Sequence, residues 1–200
     1  MMPRQFTQKL KAWKEALLEQ IYTPVGLVPF EGFTTLESLT REQAEAHEKR
    51  PFKAGEKWGA KWEYGWFSAK AVIPEACRGR RVVLMTRLGS ETLVYQNGKA
   101  IGSVDRGHPY VTLTRNAKGG ESEYLICECY AGHGARLEGI GPCPIEKEAI
   151  PKTPKTQCVY EDAVMAVWNE EAYQLALDVV TLDWLLETLD ERSLRAQNRF

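Results

Sequence analysis

Cys127, Cys129, His133 and Cys143 are the residues of this chain whose types best suit a metal ion. Alternate strand positions put both thiols of "LICECYA" on one face, and a histidine follows within reach. The spacing matches no standard zinc arrangement, and the same run reads equally as an apolar strand whose thiols are buried as small hydrophobes. A histidine base has to be His47, His108 or His133. His47 lies in the charged run "REQAEAHEKR" and reads as a solvated surface residue; His108 precedes Pro109 and reads as part of a turn. Glu121 with Glu123, or Glu128, has the chemistry for acid–base work, but no partner is identifiable. A phosphate-binding Gly-rich loop and a Gly-x-Ser-x-Gly elbow are both missing from the sequence.

The aromatic stretch "EKWGAKWEYGWFSAKAVIP" offers a second chemistry, with Trp58, Trp62 and Trp66 four residues apart. Four residues is close to one helical turn and is also an even number of strand steps, so spacing alone leaves helix and strand open. Gly59 and Gly65 disfavour a helix, and the extended "WFSAKAVIP" indicates a strand entered through a loop. The indoles then either fill a core or an interface, or stack on sugar. The second alternative requires Trp58, Trp62 or Tyr64 to be exposed together beside polar groups such as Glu91 or Asn97.

The elements that position these residues are mainly strands. From about residue 63 the hydrophobic period is two, in "EYGWFSAKAVI", "RVVLMTRL", "ETLVYQ", "KAIG", "PYVTLT" and "SEYLICECYA". Asn97-Gly98 tolerates the positive φ angles of a type I′ turn and predicts a tight hairpin between the third and fourth of these. Pro74 with Gly79, and Gly119-Gly120, mark further connections, and "CVYEDAVMAVW" reads as a closing strand. Six or seven such strands indicate a β-sandwich.

Helices flank it. Phe6, Leu10, Trp13, Leu17 and Ile21 form one amphipathic face, and Thr40 to Gln43 has the capping-box form of a short solvated helix. Asn169 caps a last helix with Glu170 and Glu171 in its first turn, whose apolar face is Tyr173, Leu177, Val180 and Trp184, widened by Leu185 and Leu189. Residues 132–158, with four glycines and four prolines, read as a long connection.

Composition narrows the function classes. With 44% hydrophobic and 26% charged residues the chain can bury a sizeable core, and 26 basic against 27 acidic side chains build no broad positive field for nucleic acid. No run approaches a membrane span and the first residues lack a signal-peptide layout, so the expected location is cytoplasmic. Five cysteines without a small-scaffold spacing fit free thiols in a reducing compartment.

Taken in order, Trp58-Gly59-Ala60-Lys61-Trp62, Ile73-Pro74-Glu75, Tyr95-Gln96-Asn97-Gly98 and Glu128-Cys129-Tyr130-Ala131-Gly132-His133 resemble the amino-terminal region of the cytosolic and bacterial type of α-mannosidase in glycoside hydrolase family 38. The likeness runs from about residue 52 to 192. It implies a jelly-roll, galactose-binding-like sandwich over 52–168, an N-terminal helical segment over 1–51, and a helix over 169–200 leading to a catalytic domain beyond these residues. In the family that domain hydrolyses terminal α-mannosides by a zinc-dependent retaining mechanism with an aspartate nucleophile. Its His-x-Asp zinc motif is matched by none of the three histidines here, so no catalytic, cofactor or metal residue is carried onto this chain. The implied partners are the catalytic domain of the same chain, its α-mannoside substrate and further copies in a homo-oligomer.

Overall fold

The computed structural model describes residues 4–132 and 156–188. They fall into two compact units, one of residues 24–166 and a smaller one made by the two ends, up to Thr23 and from Val167. Most of the 132–158 connection lies outside the described residues, as do His133, Cys143 and Leu189.

The strands are β1 (Tyr22–Val28), β2 (Glu31–Thr35), β3 (Arg50–Pro51), β4 (Lys57–Trp58), β5 (Tyr64–Val72), β6 (Val82–Met85), β7 (Glu91–Gln96), β8 (Lys99–Val104), β9 (Val111–Thr114), β10 (Ser122–Tyr130), β11 (Cys158–Val159) and β12 (Ala163–Trp168). The helices are α1 (Arg4–Glu19), α2 (Arg41–Ala46) and α3 (Glu170–Thr188). One sheet has the order β3-β2-β5-β10-β7-β8, a second β1-β12-β6-β9, and β4 pairs with β11. The result is a mainly β sandwich with a helix near each end of the chain, as the sequence pattern predicts.

The helical segment expected over residues 1–51 is interrupted by strands: β1, β2 and β3 lie within it. Pro24 and Gly26 hide β1 from a period-two reading, and a proline fits there because β1 is the edge of its sheet. α2 has the predicted capping box: the Gln43 N–H donates to Thr40 Oγ1 and the Thr40 N–H donates to Gln43 Oε1. It is not polar all round, because Ala44 is buried against Trp66 and Ile126.

The β7–β8 hairpin turns at Asn97 and Gly98, with φ of +48° and +81°, and Gln96 pairs with Lys99. The Asn97 side chain accepts from the Tyr124 N–H at 2.9 Å and donates to Glu123 at 2.6 Å, tying the turn to β10. Glu123 therefore has a structural partner. Glu121 likewise accepts from the Lys118 N–H in the Gly119-Gly120 turn.

Between the sheets the core is aromatic at its centre. Phe67, Phe52, Trp58 and Tyr160 contact one another edge-on, tilted or stacked, with centroids 5.0–6.0 Å apart. Tyr160 is fully buried, and its hydroxyl accepts from the Phe30 N–H at 2.8 Å and donates to Asp162 at 3.0 Å. Its backbone is clamped as well, by Gly55 N–H to Tyr160 O and Tyr160 N–H to Glu56 O, both 2.8 Å. Cys77, Cys127, Cys129 and Cys158 are free and buried. Burial pushes the Cys129 thiol up to about 12 and Cys158 to about 11, and raises Cys127 and Cys77 too.

In the smaller unit α1 packs on α3, with Lys14 paired to Asp183. Leu17 and Ile21 are buried, but Trp13 of the expected apolar face is 48% exposed. Asn169 caps α3 by accepting from the Ala172 N–H, while its own N–H donates to Ile21 O. The buried stripe of α3 is Ala172, Ala176 and Val179, not the predicted Leu177 and Trp184. Those two lie roughly 100° round the helix. Small side chains allow the closest packing, so the alanine stripe faces inward and the bulky one outward.

Replacing Tyr160 by Phe leaves the buried Phe30 N–H without its acceptor, and we expect a loss of about 1–3 kcal/mol in urea unfolding. Burial also raises the Tyr160 hydroxyl to about 12. The unfolded tyrosine ionises first, so the stability this group lends is complete below about pH 10 and is lost as pH rises towards 12. That alkaline loss should be smaller in Tyr160→Phe. A disulfide-exchange thiol reagent at pH 8 should leave Cys77, Cys127, Cys129 and Cys158 unlabelled in the folded chain and label them all in denaturant.

Candidate binding face

The three tryptophans do not share a face. Trp58, on β4, is 4% exposed, packs on Phe67 and donates its indole N–H to Leu88 O at 3.0 Å. Gly65 makes room for it, since a Cβ there would meet the Trp58 ring at 2.8 Å. Trp66 is buried on the opposite side of β5, with Ala44 and Ile126. Trp62 sits in the tight turn Ala60 to Glu63 at φ +67°, where the Glu63 N–H donates to Ala60 O and the Trp62 N–H to Gly132 O. It is 45% exposed, beside the Lys61 ammonium. This turn breaks the four-residue spacing, so Trp58, Trp62 and Tyr64 cannot form one exposed platform.

The outer face of the six-stranded sheet brings together what the tryptophan spacing does not. Directly paired residues project to the same side. Register therefore sets three rows across β2, β5, β10 and β7: Thr35, Tyr64, Tyr130 and Glu91; Phe33, Trp66, Glu128 and Leu93; Glu31, Ser68, Ile126 and Tyr95. α2 lies over one corner, where Ala44 meets Trp66 and Ile126 and His47 stacks on Phe33 at 4.6 Å. Beside it Tyr64, Tyr130, Glu128 and Leu93 are half-buried, and Glu91 is exposed.

The chemistry of this shelf is specific. Tyr64 and Tyr130 form a tilted ring pair with centroids 5.1 Å apart. Burial holds the Glu128 carboxyl above the usual carboxylate range, partly opposed by a hydrogen bond from the Tyr95 hydroxyl. Burial raises the Tyr130 and Tyr95 phenols as well, helped by Tyr64 and Glu91 at Tyr130 and by Glu128 at Tyr95. The Trp66 indole N–H is buried without a hydrogen-bond partner. Of Trp58, Trp62 and Tyr64 only Tyr64 lies in these rows, together with Glu91, one of the polar neighbours named from the sequence. Tyr130, Glu128 and Tyr95 become legible once alternation along β7 and β10 is followed in register with β5.

Glu91 also borders a cleft of about 610 Å³ at the end of the sandwich, between the β6–β7 and β8–β9 connections. Arg87, at φ +52°, and Arg106 line it, as does Asp105. Asp105 accepts from the Gly107 and His108 N–H groups, so His108 has the turn role expected of it.

A metal centre does not assemble from the described residues. Cys127 and Cys129 share a face, as alternation predicts, but that face is the core, and Thr92 Oγ1 lies 3.3 Å from Cys129 Sγ. Thiols raised by burial are poor ligands, because the metal binds thiolate. Among the described residues no group of three His, Cys, Asp or Glu side chains converges.

Comparison with known proteins places the fold. Residues 28–170 match the model of the Ams1-like family, described as the jelly roll domain of α-mannosidase. Human α-mannosidase 2C1 is 23% identical over 170 residues, covering 82% of this chain and 16% of its own length. Among solved structures, a β-glucuronidase from Ruminococcus gnavus in complex with uronic deoxynojirimycin has a TM-score of 0.51 at 12% identity, covering 75% of this chain and 29% of its own. A Faecalibacterium prausnitzii β-glucuronidase has a TM-score of 0.47 at 14% identity, over 76% of this chain and 32% of that one. The Ruminococcus likeness is one of fold. With the family model running from Val28, the last residue of β1, to Glu170, the first of α3, the chain belongs to the Ams1-like α-mannosidase jelly roll family.

Proposed function

We propose that this jelly roll is the non-catalytic amino-terminal domain of an α-mannosidase, and that its work is to support the packing of the catalytic domain and the assembly of the oligomer. The catalytic domain supplies the zinc and the retaining hydrolysis of terminal α-mannosides. The chain spans 16% of the length of its human relative, which leaves ample sequence for such a domain. Both described histidines have local partners, His47 on Phe33 and His108 with Asp105. Buried free thiols agree with a cytoplasmic setting. No helix among the described residues is long and apolar enough to cross a membrane.

The observation that carries the packing role is the outward face of α3. Leu177, Trp184 and Leu185 are 43%, 66% and 51% exposed, an apolar stripe of the kind an adjoining domain covers. In the parent enzyme this stripe docks on the catalytic domain.

Two assays test the reading. Incubated with 4-nitrophenyl α-mannoside, with and without zinc, the 200-residue chain is expected to release no nitrophenol; turnover would refute it. In the parent enzyme, Leu177→Ser with Trp184→Ser should lower thermal stability by about 1.5–3 kcal/mol for each side chain uncovered. The same pair should change the isolated chain by no more than about 0.5 kcal/mol per site.

A further inference from the structure

Asn97-Gly98 turns the β7–β8 hairpin, and it is also a reactive dipeptide. The nitrogen of the residue after an asparagine can attack the side-chain amide, and glycine has no Cβ to shield that nitrogen. Both residues are exposed, and they lie beyond the last ladder pair, Gln96 with Lys99. Even a Cβ built on Gly98 would meet nothing nearer than the Arg41 guanidinium, at 3.7 Å. The chemistry needs only water. The Gly98 nitrogen bonds to Asn97 Cγ and yields its proton to water, the Cγ–Nδ2 bond breaks, and ammonia leaves. Water then opens the five-membered imide at one of its two carbonyls, leaving aspartate or isoaspartate at position 97.

The fold opposes the first of these steps. The Asn97 side chain is held at both of its polar atoms: Oδ1 accepts from the Tyr124 N–H at 2.9 Å, and Nδ2 donates to Glu123 Oε2 at 2.6 Å. Its backbone N–H donates to Tyr124 O at 2.8 Å, so three bonds tie residue 97 to the start of β10. Ring closure swings Cγ onto the Gly98 nitrogen. That motion breaks both side-chain bonds and takes the Asn97 backbone out of the turn conformation it holds at φ +48°. The bond to the carboxylate is charge-assisted, so its loss alone makes the attacking geometry about tenfold rarer or more.

We propose that Asn97 is a conditional modification site: β10 holds it as the amide, and it converts one way to aspartate or isoaspartate when Glu123 and Tyr124 release it. The product does not rebuild the clamp. Aspartate at 97 has no N–H to give Glu123 and sets one carboxylate against another. Isoaspartate adds a methylene to the main chain inside a two-residue turn, where the Gln96–Lys99 pairing leaves no room for extra length. The inference rests on the hairpin and β10 and does not depend on the mannosidase reading.

The test is to age the 200-residue chain in mildly alkaline buffer beside a free peptide of residues 95–100. Residue 97 is followed by peptide mass and by enzymatic methylation of isoaspartate. The folded chain is expected to convert about a hundredfold more slowly than the peptide, since both side-chain bonds must break. Glu123→Ala should speed conversion in the folded chain about tenfold or more. Glu123→Gln, which keeps an acceptor for the Asn97 amide, should restore most of the protection. Amide spectra of each variant establish that it is folded. A folded wild-type chain that converts as fast as the peptide overturns the proposal. So does a folded Glu123→Ala chain no faster than wild type, or a Glu123→Gln chain as fast as Glu123→Ala.

Discussion

The buried hydroxyl of Tyr160 is the constraint on which the larger unit depends. It sits at the centre of the aromatic core, yet it is polar, so it can be there only with both partners in place, Phe30 N–H and Asp162. One partner belongs to the connection between β1 and β2, and the other to the segment that leads into β12. Satisfying one phenol thus fixes where two distant parts of the chain meet between the sheets. Phe52, Phe67 and Trp58 then close around the ring, and Gly65 leaves the space that the Trp58 indole occupies.

From that centre the two faces of the six-stranded sheet diverge in chemistry. The inner residues of β5 and β10, Phe67, Ala69, Leu125, Cys127 and Cys129, are dry and keep the thiols protonated. The outer residues alternate rings with carboxylates, and α2 covers one corner of them. The same strands therefore provide a dry core on one face and, at alternate positions, a surface of rings and carboxylates on the other. α3 offers a different surface, apolar and without carboxylates in its outward stripe of Leu177 and Trp184. One is aromatic and acidic, the other apolar.

Local chemistry was legible in the sequence wherever it is dictated by a few neighbouring residues. The Asn97-Gly98 hairpin, the Thr40 capping box and the Asn169 cap all follow from side chains that satisfy nearby backbone groups. Signals that depend on distant packing were not. β1 carries Pro24 and Gly26, which look like turn residues until an edge position gives them a place. The even spacing of Trp58, Trp62 and Trp66 suggests a shared face, but a turn with Trp62 at positive φ separates them. On α3 the largest apolar residues suggest the inward face, whereas the fit to its neighbour selects alanine. The shelf itself is written in four separate strands, and only their register assembles it.

The order of strands in the smaller sheet also sets a timetable for biosynthesis. β1 is made early, but its sheet neighbour is β12, near the far end of the larger unit, and β12 is also what joins β1 to β6. At ribosomal speeds of about 5–20 residues per second, β1 waits roughly ten seconds for the strand that completes it. During that interval its unpaired backbone is open to any other extended chain. Pro24 and Gly26, which obscure β1 to a reader of the sequence, also make it a poor template for mispairing while the ribosome works toward residue 168.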